Sequence, residues 1–412
     1  MKGGPRLPEI EGIRIIAPDA SSRSVSSIEE AIAVSGSHHV EVTYRYDPDL
    51  LPGAAGRPGN GMWRYRRLLP LGPGDIRYPL HVGGTPLTTA PELARRLGFS
   101  GLHFKDETRG PSASNKDRAT ALVLESGLRA GKQVVTCAST GNVASSLAIG
   151  AAAAGLHAVI CVPQGTSPLK LQLMLAAGAD VVEVAEGYTA AFELSRQAAR
   201  EFGWLDRNTG VNPLTTEAKK TVAFEIWEQL GVLPDVVFAP VGDGPTLAAL
   251  AKGFRELLLC GAKGRMPRLI GVQSSGLDPL VRRLHGEPPL AADTCGTKAE
   301  GIAVPDPVSA AVVLRDVRES GGTLLSVPDD DILAAANSLL AHAGICAEPA
   351  GAAATAGLIK ARERGIVDPQ ERIVALVTGS GLKTPQFLPT DRRTRAIHQD
   401  LDELRKAIGA LP

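Results

Sequence analysis

Four short loops rich in small and polar residues are the parts of this sequence best suited to chemistry. Each follows an apolar, strand-like run: PSASNKDR (111–118), ASTGN (138–142), VGDGPT (241–246) and VTGSG (377–381). A helix N-terminus offers free backbone N–H groups and the positive end of the helix dipole, so loops of this kind suit anions. ASTGN and VGDGPT could therefore hold two anionic groups, such as a cofactor phosphate and a substrate carboxylate.

Lys116 stands at the start of a predicted helix, at the end of the first of these loops. A cation is disfavoured at that end of a helix, and the dipole favours the neutral, nucleophilic form of the amine. A Schiff base to pyridoxal phosphate requires such a lysine beside a phosphate-binding loop. The alternative is a surface lysine beside a capping serine. A separate alternative is that Ser139 and Thr140 merely cap the helix that follows them.

The glycines of VGDGPT invite comparison with the dinucleotide-binding pattern GxGxxG/A, which they match poorly. The sixth position is Leu247, and no acidic residue lies about 20 residues further on, where a ribose ligand is expected. A phosphate site remains open at this loop, although Pro245 has no N–H to donate.

These loops need a parallel sheet to position them, and the sequence predicts one. From about residue 98 onward, Val- and Ile-rich runs alternate with helical patterns, which favours parallel sheets covered on both faces. We count roughly eight such strands, which indicates two sheets. The segment before residue 61 differs, with one candidate strand in HHVEVTYRYDP and a linker-like LPGAAGRPGNG. We interpret it as an arm.

Composition excludes several classes of protein. The 412 residues carry 44 basic and 44 acidic side chains, which argues against a nucleic-acid binder. No run approaches the ~20 apolar residues of a membrane span, and the first residues lack the pattern of a signal peptide. The five cysteines are scattered and the eight histidines form no ligand pattern. We therefore expect a cytoplasmic protein without a metal site or disulfides.

Several motifs in order resemble the threonine synthases, within the fold-type-II (tryptophan-synthase-β-like) pyridoxal-phosphate enzymes. The resemblance covers about residues 61 to 388 and includes GMWRYRRLLPL, GGTPL, PSASNKDR, CASTGNVASS, TGVNPLTTEAKKTVAFEI, PVGDGP, AGICAEPAGAAATAG and VTGSGLK. It implies a two-domain α/β fold, with parallel-sheet layers and the cofactor in the cleft between the domains.

The resemblance also implies a division of the chain. A large cofactor-binding domain would comprise residues 61–120 and 216–388, and a small mobile domain residues 121–215. Residues 1–60 would form an N-terminal arm and residues 389–412 a tail with a helix. The expected partners are a small amino-acid substrate and a second copy of the chain in a homodimer, with no nucleic acid and no membrane.

For the cofactor, the resemblance implies that Lys116 forms the Schiff base and moves protons at Cα and Cβ. Asn142 would hydrogen-bond the 3′-oxygen of pyridoxal phosphate, and Thr378 would contact its pyridine nitrogen. The phosphate would lie in the loop formed by Gly242, Asp243, Gly244 and Thr246.

For the substrate, Ser139 and Thr140 would hold the carboxylate by the resemblance. Ser112 and Ser114 would line the substrate side of the lysine loop, and with Arg118 they would receive a leaving phosphate. The implied reaction converts O-phospho-L-homoserine and water to L-threonine and phosphate.

Some residues depart from the family pattern. Asn115 stands where phenylalanine is usual before the lysine, Ser380 stands where histidine is usual, and GDGPT replaces a loop that commonly reads GNAGN. AEGIAVPDP (299–307) is similar to the threonine and serine dehydratases of the same fold. These departures keep open a β-elimination or β-replacement on serine, threonine or an activated analogue. A third alternative is a catalytically silent relative that binds an amino acid.

Overall fold

The computed structural model describes residues 9–17, 19–34, 38–51, 58–210, 212–290, 296–389 and 394–408. Most of the predicted linker LPGAAGRPGNG, and Cys295, lie outside these residues. The strands are β1 (Ile10–Ile16), β2 (Ser22–Val25), β3 (His39–Tyr44), β4 (Leu87–Thr89), β5 (Gly101–Asp106), β6 (Val134–Ala138), β7 (His157–Pro163), β8 (Asp180–Val184), β9 (Leu205–Asp206), β10 (Val236–Pro240), β11 (Arg268–Ser274), β12 (Thr323–Val327) and β13 (Arg372–Val377).

The helices alternate with these strands over most of the chain. They are α1 (Ile28–Val34), α2 (Pro91–Leu97), α3 (Lys116–Arg129), α4 (Asn142–Ala154), α5 (Pro168–Ala176), α6 (Tyr188–Glu201), α7 (Leu214–Lys219), α8 (Thr221–Leu230), α9 (Pro245–Leu259), α10 (Pro279–His285), α11 (Ala310–Glu319), α12 (Asp329–Ala343), α13 (Pro349–Glu363) and α14 (Leu401–Ile408). No helix in the described ranges is both long and apolar enough to cross a bilayer.

Two largely parallel sheets form the body of the fold. The larger has the order β12-β11-β10-β13-β5-β4, in which β4 alone runs antiparallel, and the smaller has the order β8-β7-β6-β9. The predicted α/β class with two parallel sheets is confirmed. The alternation of strand and helix made this predictable, because parallel neighbours need a crossover connection.

Strand β10 shows why its sequence reads as a continuous apolar run. Val236 and Phe238 pack into the core on the side of α12 and α13, whereas Val237 and Ala239 pack on the side of α8 and α9. All four side chains are completely buried. A strand covered on both faces has no polar face to present, so the period-two pattern disappears.

The N-terminal segment differs from the single strand expected of it. Strands β2, β1 and β3 form an antiparallel three-stranded sheet, and the expected strand is β3. Strand β1 is not evident from the sequence, because its register shifts between Ile10 and Gly12 and this shift interrupts the alternation of apolar and polar residues. Strand β2 is polar and almost wholly exposed, so its sequence resembles a loop.

Candidate active site

The loops singled out in the sequence follow the carboxyl ends of β5, β10 and β13 in the larger sheet and of β6 in the smaller one. The β5 and β13 loops are joined backbone to backbone. The N–H of Asn115 donates to the carbonyl of Thr378 over 2.8 Å, and the N–H of Ser380 donates to the carbonyl of Ala113 over 3.0 Å. The side-chain amide of Asn115 lies 3.4 Å from the Thr246 hydroxyl. Three of the four loops therefore meet at the start of α3, as expected for ligand sites of open α/β sheets.

The fourth loop joins the others through its last residue, Asn142. Its amide nitrogen donates to Oε1 of Glu348 over 2.6 Å, and its amide oxygen accepts from the ammonium group of Lys383. Lys383 also donates to the carbonyl of Ser112 over 3.0 Å. The two sheets thus meet across a cleft lined by polar and charged groups.

Lys116 is the first residue of α3 and projects into this cleft. Its Nζ lies 3.3 Å from the amide oxygen of Asn115. Burial lowers the pKa of Lys116 to about 8, Glu348 opposes this shift, and the positive charges of Arg207 and Lys383 add to it. Much of the amine is therefore neutral near pH 8 and able to act as a nucleophile.

The start of α4 has free backbone donors. No side chain caps this helix, whose N-cap residue is Gly141. The Ser139 hydroxyl instead accepts from the N–H of Gly141 over 3.2 Å, inside the loop. Ser139 and Thr140 are both partly exposed at this turn. The structure therefore does not support the interpretation of these residues as helix caps, and an anion can bind the free N–H groups.

The loop after β10 is tightly packed. Gly244 has a φ of 101°, and a Cβ there would lie 2.8 Å from Cβ of Ser309, so no other residue fits without a shift of its neighbours. A Cβ on Gly242 would lie 2.9 Å from Cα of Ile302. The Asp243 carboxylate accepts from the N–H of Val308 over 2.7 Å, and its carbonyl accepts from the N–H of Ser309 over 3.1 Å. Asp243 therefore holds the segment that contains Val308 and Ser309 against the loop.

Two cations beside this loop lack carboxylate partners among the described residues. Lys219 is 3% exposed and donates to the Thr246 hydroxyl over 3.1 Å. Arg207 is fully buried and donates to the Thr120 hydroxyl and the Lys116 carbonyl over 3.1 and 3.3 Å. Burial lowers the pKa of Lys219 well below its usual value and that of Arg207 to about 10. Carboxylates act on both groups from beyond contact distance, since Asp243 and Glu107 oppose the lowering of the Lys219 pKa, and Asp117 and Asp206 oppose that of Arg207.

The lysine loop presents two hydroxyl groups. The Ser112 and Ser114 hydroxyl oxygens are 3.2 Å apart, and both residues are buried. The carboxylate of Asp117 accepts from the N–H of Ser112 over 2.9 Å and from the Ser146 hydroxyl over 2.8 Å. Asp117 thus holds the loop against α4.

Arg118 does not belong to the substrate side, which corrects the expectation that it receives a leaving phosphate. Its guanidinium is buried and donates to the carboxylates of Glu107 and Glu225 over distances of 2.7–2.8 Å. Its remaining bonds go to the Thr221 and Thr85 hydroxyls. These bonds use every polar nitrogen of the side chain, so Arg118 holds α3 to the elements behind it.

Four charged residues of the cleft had no role assigned from the sequence: Glu348, Lys383, Lys219 and Arg207. Glu348 is buried at the N-cap of α13, where burial raises the pKa of its carboxyl group. Glu348 and Lys383 lie in the quoted motifs that contain AEPAG and TGSGLK, and Lys219 lies beside Lys220 in TGVNPLTTEAKKTVAFEI, so each of these three carries a signal. Arg207 lies outside the quoted motifs and carries none.

The comparisons with known proteins agree with this geometry. The family model described as "Pyridoxal-phosphate dependent enzyme" matches residues 78–379. The chain belongs to this family. It is 35% identical to the threonine synthase of Methanosarcina acetivorans over 84% of this chain and 86% of that protein. It is 36% identical to the threonine synthase of Methanocaldococcus jannaschii over 85% of this chain and 88% of that protein.

Solved structures of other pyridoxal-phosphate enzymes share the fold. Threonine deaminase isoform 2 from Solanum lycopersicum superposes with a TM-score of 0.60 at 24% identity, covering 79% of this chain and 82% of that one. Diaminopropionate ammonia lyase from Escherichia coli superposes with a TM-score of 0.63 at 18% identity, covering 82% of this chain and 91% of that one.

The residues of the cleft fit pyridoxal phosphate. A lysine of lowered pKa can bond to the aldehyde, and the buried amine of Lys219, which contacts Thr246 and has no carboxylate within 4.0 Å among the described residues, can bind the phosphate. Gly244 brings the backbone close to a ligand in the manner of phosphate loops, because no side chain fits there. In this pyridoxal-phosphate enzyme, the candidate hydrogen-bond donors to anionic groups thus belong to the start of α4 and to the loop after β10, and Lys116 is the candidate for the covalent bond.

Proposed function

We propose that this pyridoxal-phosphate enzyme is a threonine synthase, which converts O-phospho-L-homoserine and water to L-threonine and phosphate. The identity of a third or more to threonine synthases over most of the chain supports this reaction. The single structural observation that carries it is the position of Lys116. Its amine lies 3.3 Å from the amide oxygen of Asn115, and the amide nitrogen of Asn115 lies 3.4 Å from the Thr246 hydroxyl in the loop after β10.

Bound pyridoxal phosphate supplies an electron sink for negative charge developing at Cα of the substrate. Lys116 would hold the cofactor covalently and then act as the base at Cα and Cβ, because its amine is substantially neutral near pH 8. Phosphate leaves from Cγ, which takes up a proton and becomes the methyl group. Water then adds to Cβ, and a proton returns to Cα.

The substrate's two anionic groups have separate partners in this proposal. Ser139, Thr140 and the free N–H groups at the start of α4 bind the carboxylate. Ser112 and Ser114 face the leaving phosphate. Lys383 supplies the positive charge on that side in place of Arg118, since its ammonium group already contacts the carbonyl of Ser112.

The pKa of Lys116 predicts a pH dependence for covalent attachment of the cofactor. Below pH 8 the ammonium form dominates, and the neutral form grows as the pH rises through the pKa of about 8. The rate of attachment to apoprotein should therefore rise about tenfold per pH unit below that point and level off above it. Stopped-flow absorbance after mixing with pyridoxal phosphate measures this rate. A rise that continues towards the usual lysine pKa of 10.5 would contradict it.

The test of the reaction is direct. Purified, cofactor-loaded protein given O-phospho-L-homoserine should release phosphate and L-threonine in equal amounts, measured by a phosphate assay and amino-acid chromatography. O-phospho-L-serine is the control substrate, because it can lose phosphate by β-elimination but cannot yield threonine. Phosphate and pyruvate from phosphoserine, with no threonine from phosphohomoserine, would overturn the proposal.

That outcome would establish the second candidate, β-elimination or β-replacement on an activated amino acid. One observation favours it. Asn115 places a polar amide 3.3 Å from Nζ of Lys116 and 3.4 Å from the Thr246 hydroxyl, where the threonine synthases it resembles usually carry phenylalanine.

We also propose that residues 121–215 form a small mobile domain, which closes when the substrate carboxylate binds. In support, the four-stranded sheet lies wholly within this range and the six-stranded sheet lies within residues 61–120 and 216–388. A homodimer in the cytoplasm is part of the same proposal. The four cysteines in the described ranges are free thiols, which suits a reducing compartment. Light scattering of the purified protein measures the oligomeric state.

A further inference from the structure

Lys219 is unusual among the buried lysines of the described chain. The other lysines buried to a similar degree all have carboxylate partners: Lys105 with Glu225 at 2.7 Å, Lys220 with Glu217 at 2.6 Å, and Lys252 with Glu217 at 3.3 Å. Lys219 is 3% exposed and has no carboxylate oxygen within 4.0 Å among the described residues. Its polar contact there is the Thr246 hydroxyl, 3.1 Å away.

An ammonium group buried in this way is costly without a counter-charge. Burial lowers the pKa of Lys219 well below its usual value, the positive charges of Lys116 and Arg207 lower it further, and the carboxylates of Asp243 and Glu107 oppose the shift. Neither carboxylate contacts the Lys219 amine. A phosphate monoester, which carries about two negative charges near neutral pH, would supply the counter-charge that Lys219 lacks at contact distance.

The neighbouring loop is poorly supplied with donors of its own. Pro245 has no N–H, although it occupies the first turn of α9. Asp243 places an acid in this loop: its Oδ1 accepts from the N–H of Val308, and burial raises the pKa of its carboxyl group to about 6. Lys219, the last residue of α7, can supply the donor that Pro245 lacks and can offset the charge of Asp243. Its contact with the Thr246 hydroxyl places it at this loop.

We propose that Lys219, together with the Thr246 hydroxyl, binds the phosphate group of pyridoxal phosphate as a charged ligand from outside the glycine loop. This rests on the proposed placement of the cofactor at residues 242–246 and not on the identity of the amino-acid substrate. Lys219 takes up a proton when the phosphate binds, so the pair forms a charge-assisted hydrogen bond.

The experiment compares pyridoxal phosphate with pyridoxal, which lacks the phosphate. Apoprotein is titrated with each compound, and binding is followed by absorbance and by quenching of protein fluorescence. Lys219→Gln should weaken binding of pyridoxal phosphate by about 10- to 100-fold, the range for a hydrogen bond to a charged group. It should change the affinity for pyridoxal by less than about twofold, because that compound never contacts Lys219.

Two further variants keep the test independent of folding defects. Lys219→Arg retains the charge and should restore most of the preference for the phosphorylated compound. Lys263→Gln changes an exposed lysine beyond the end of α9 and should alter neither affinity. Thermal unfolding of each apoprotein shows whether it is folded under the conditions of the titration.

Equal losses for both compounds would overturn the proposal, as would unchanged affinity for pyridoxal phosphate. Unchanged cofactor affinity with a raised KM for O-phospho-L-homoserine would assign Lys219 to the substrate phosphate instead. The titrations use no amino acid, so a failed threonine assay leaves their outcome intact. If Thr246→Val also leaves the preference for the phosphorylated compound unchanged, the placement of the cofactor itself is wrong.

Discussion

Lys116→Ala is expected to abolish turnover and to leave a protein that no longer turns yellow with pyridoxal phosphate. The Lys116 side chain has two proposed roles, which are to hold the cofactor covalently and to transfer protons at the substrate. Loss of the proton transfers alone corresponds to a fall of about 10²- to 10⁴-fold in kcat, and loss of attachment adds to it. Absorbance spectra of the loaded protein and the assay for threonine measure the two effects.

The matched control is Lys263→Ala, which removes an exposed lysine beyond the C-terminal end of α9, the helix whose first turn adjoins the loop after β10. It should keep both the colour and the activity. Borohydride treatment followed by peptide mapping then shows where the cofactor is attached. Label on a peptide without residue 116, or an active Lys116→Ala variant, would remove this lysine from the mechanism.

Arg118→Ala is expected to lower the free energy of unfolding by about 3–5 kcal/mol, the range for breaking a buried ion pair from one side. Glu107 and Glu225 would lose the guanidinium that joins them, and both are buried. Lys105 at 2.7 Å and Arg64 at 4.0 Å would be left as cation partners of Glu225. Urea denaturation followed by circular dichroism measures the change, with the cofactor present at a fixed concentration.

Arg95→Ala provides the comparison on the surface. Arg95 pairs with Glu92 on the same helix at 2.9 Å, but its side chain is 71% exposed, so its removal should leave the free energy of unfolding nearly unchanged. Similar small losses for both variants would mean that the Arg118 network contributes little to stability. In that case a direct role for Arg118 in phosphate binding would need to be considered again.

The sequence predicts much of the fold because its signals are local. Alternating strands and helices imply parallel sheets, and parallel strands place the loops after their carboxyl ends at one edge. The positions of Lys116, Asn142, Gly244 and Thr378 in the cleft follow from this. These positions can be predicted without knowing which side chains contact one another.

Side-chain partners are set across long separations and are not visible in the same way. Arg118 sits two residues after Lys116, on a helix that is buried at every residue from 117 to 125, and its carboxylates come from positions 107 and 225. Lys219 and Lys220 are adjacent in sequence, yet one is paired and the other is not. The break between α7 and α8 separates them, and no periodicity in the sequence marks it.

The paired backbone bonds between the lysine loop and the loop after β13 bear on how such an enzyme can diversify. Asn115 and Ser380, the two departures nearest the lysine, are attached through their main-chain N–H groups. Any residue but proline offers the same group, so an exchange of either side chain keeps the backbone bond between the two loops. Both positions are buried, so a substitute must fit the same space. Within that limit the side chains around Lys116 can change while the loop that carries the lysine keeps its attachment.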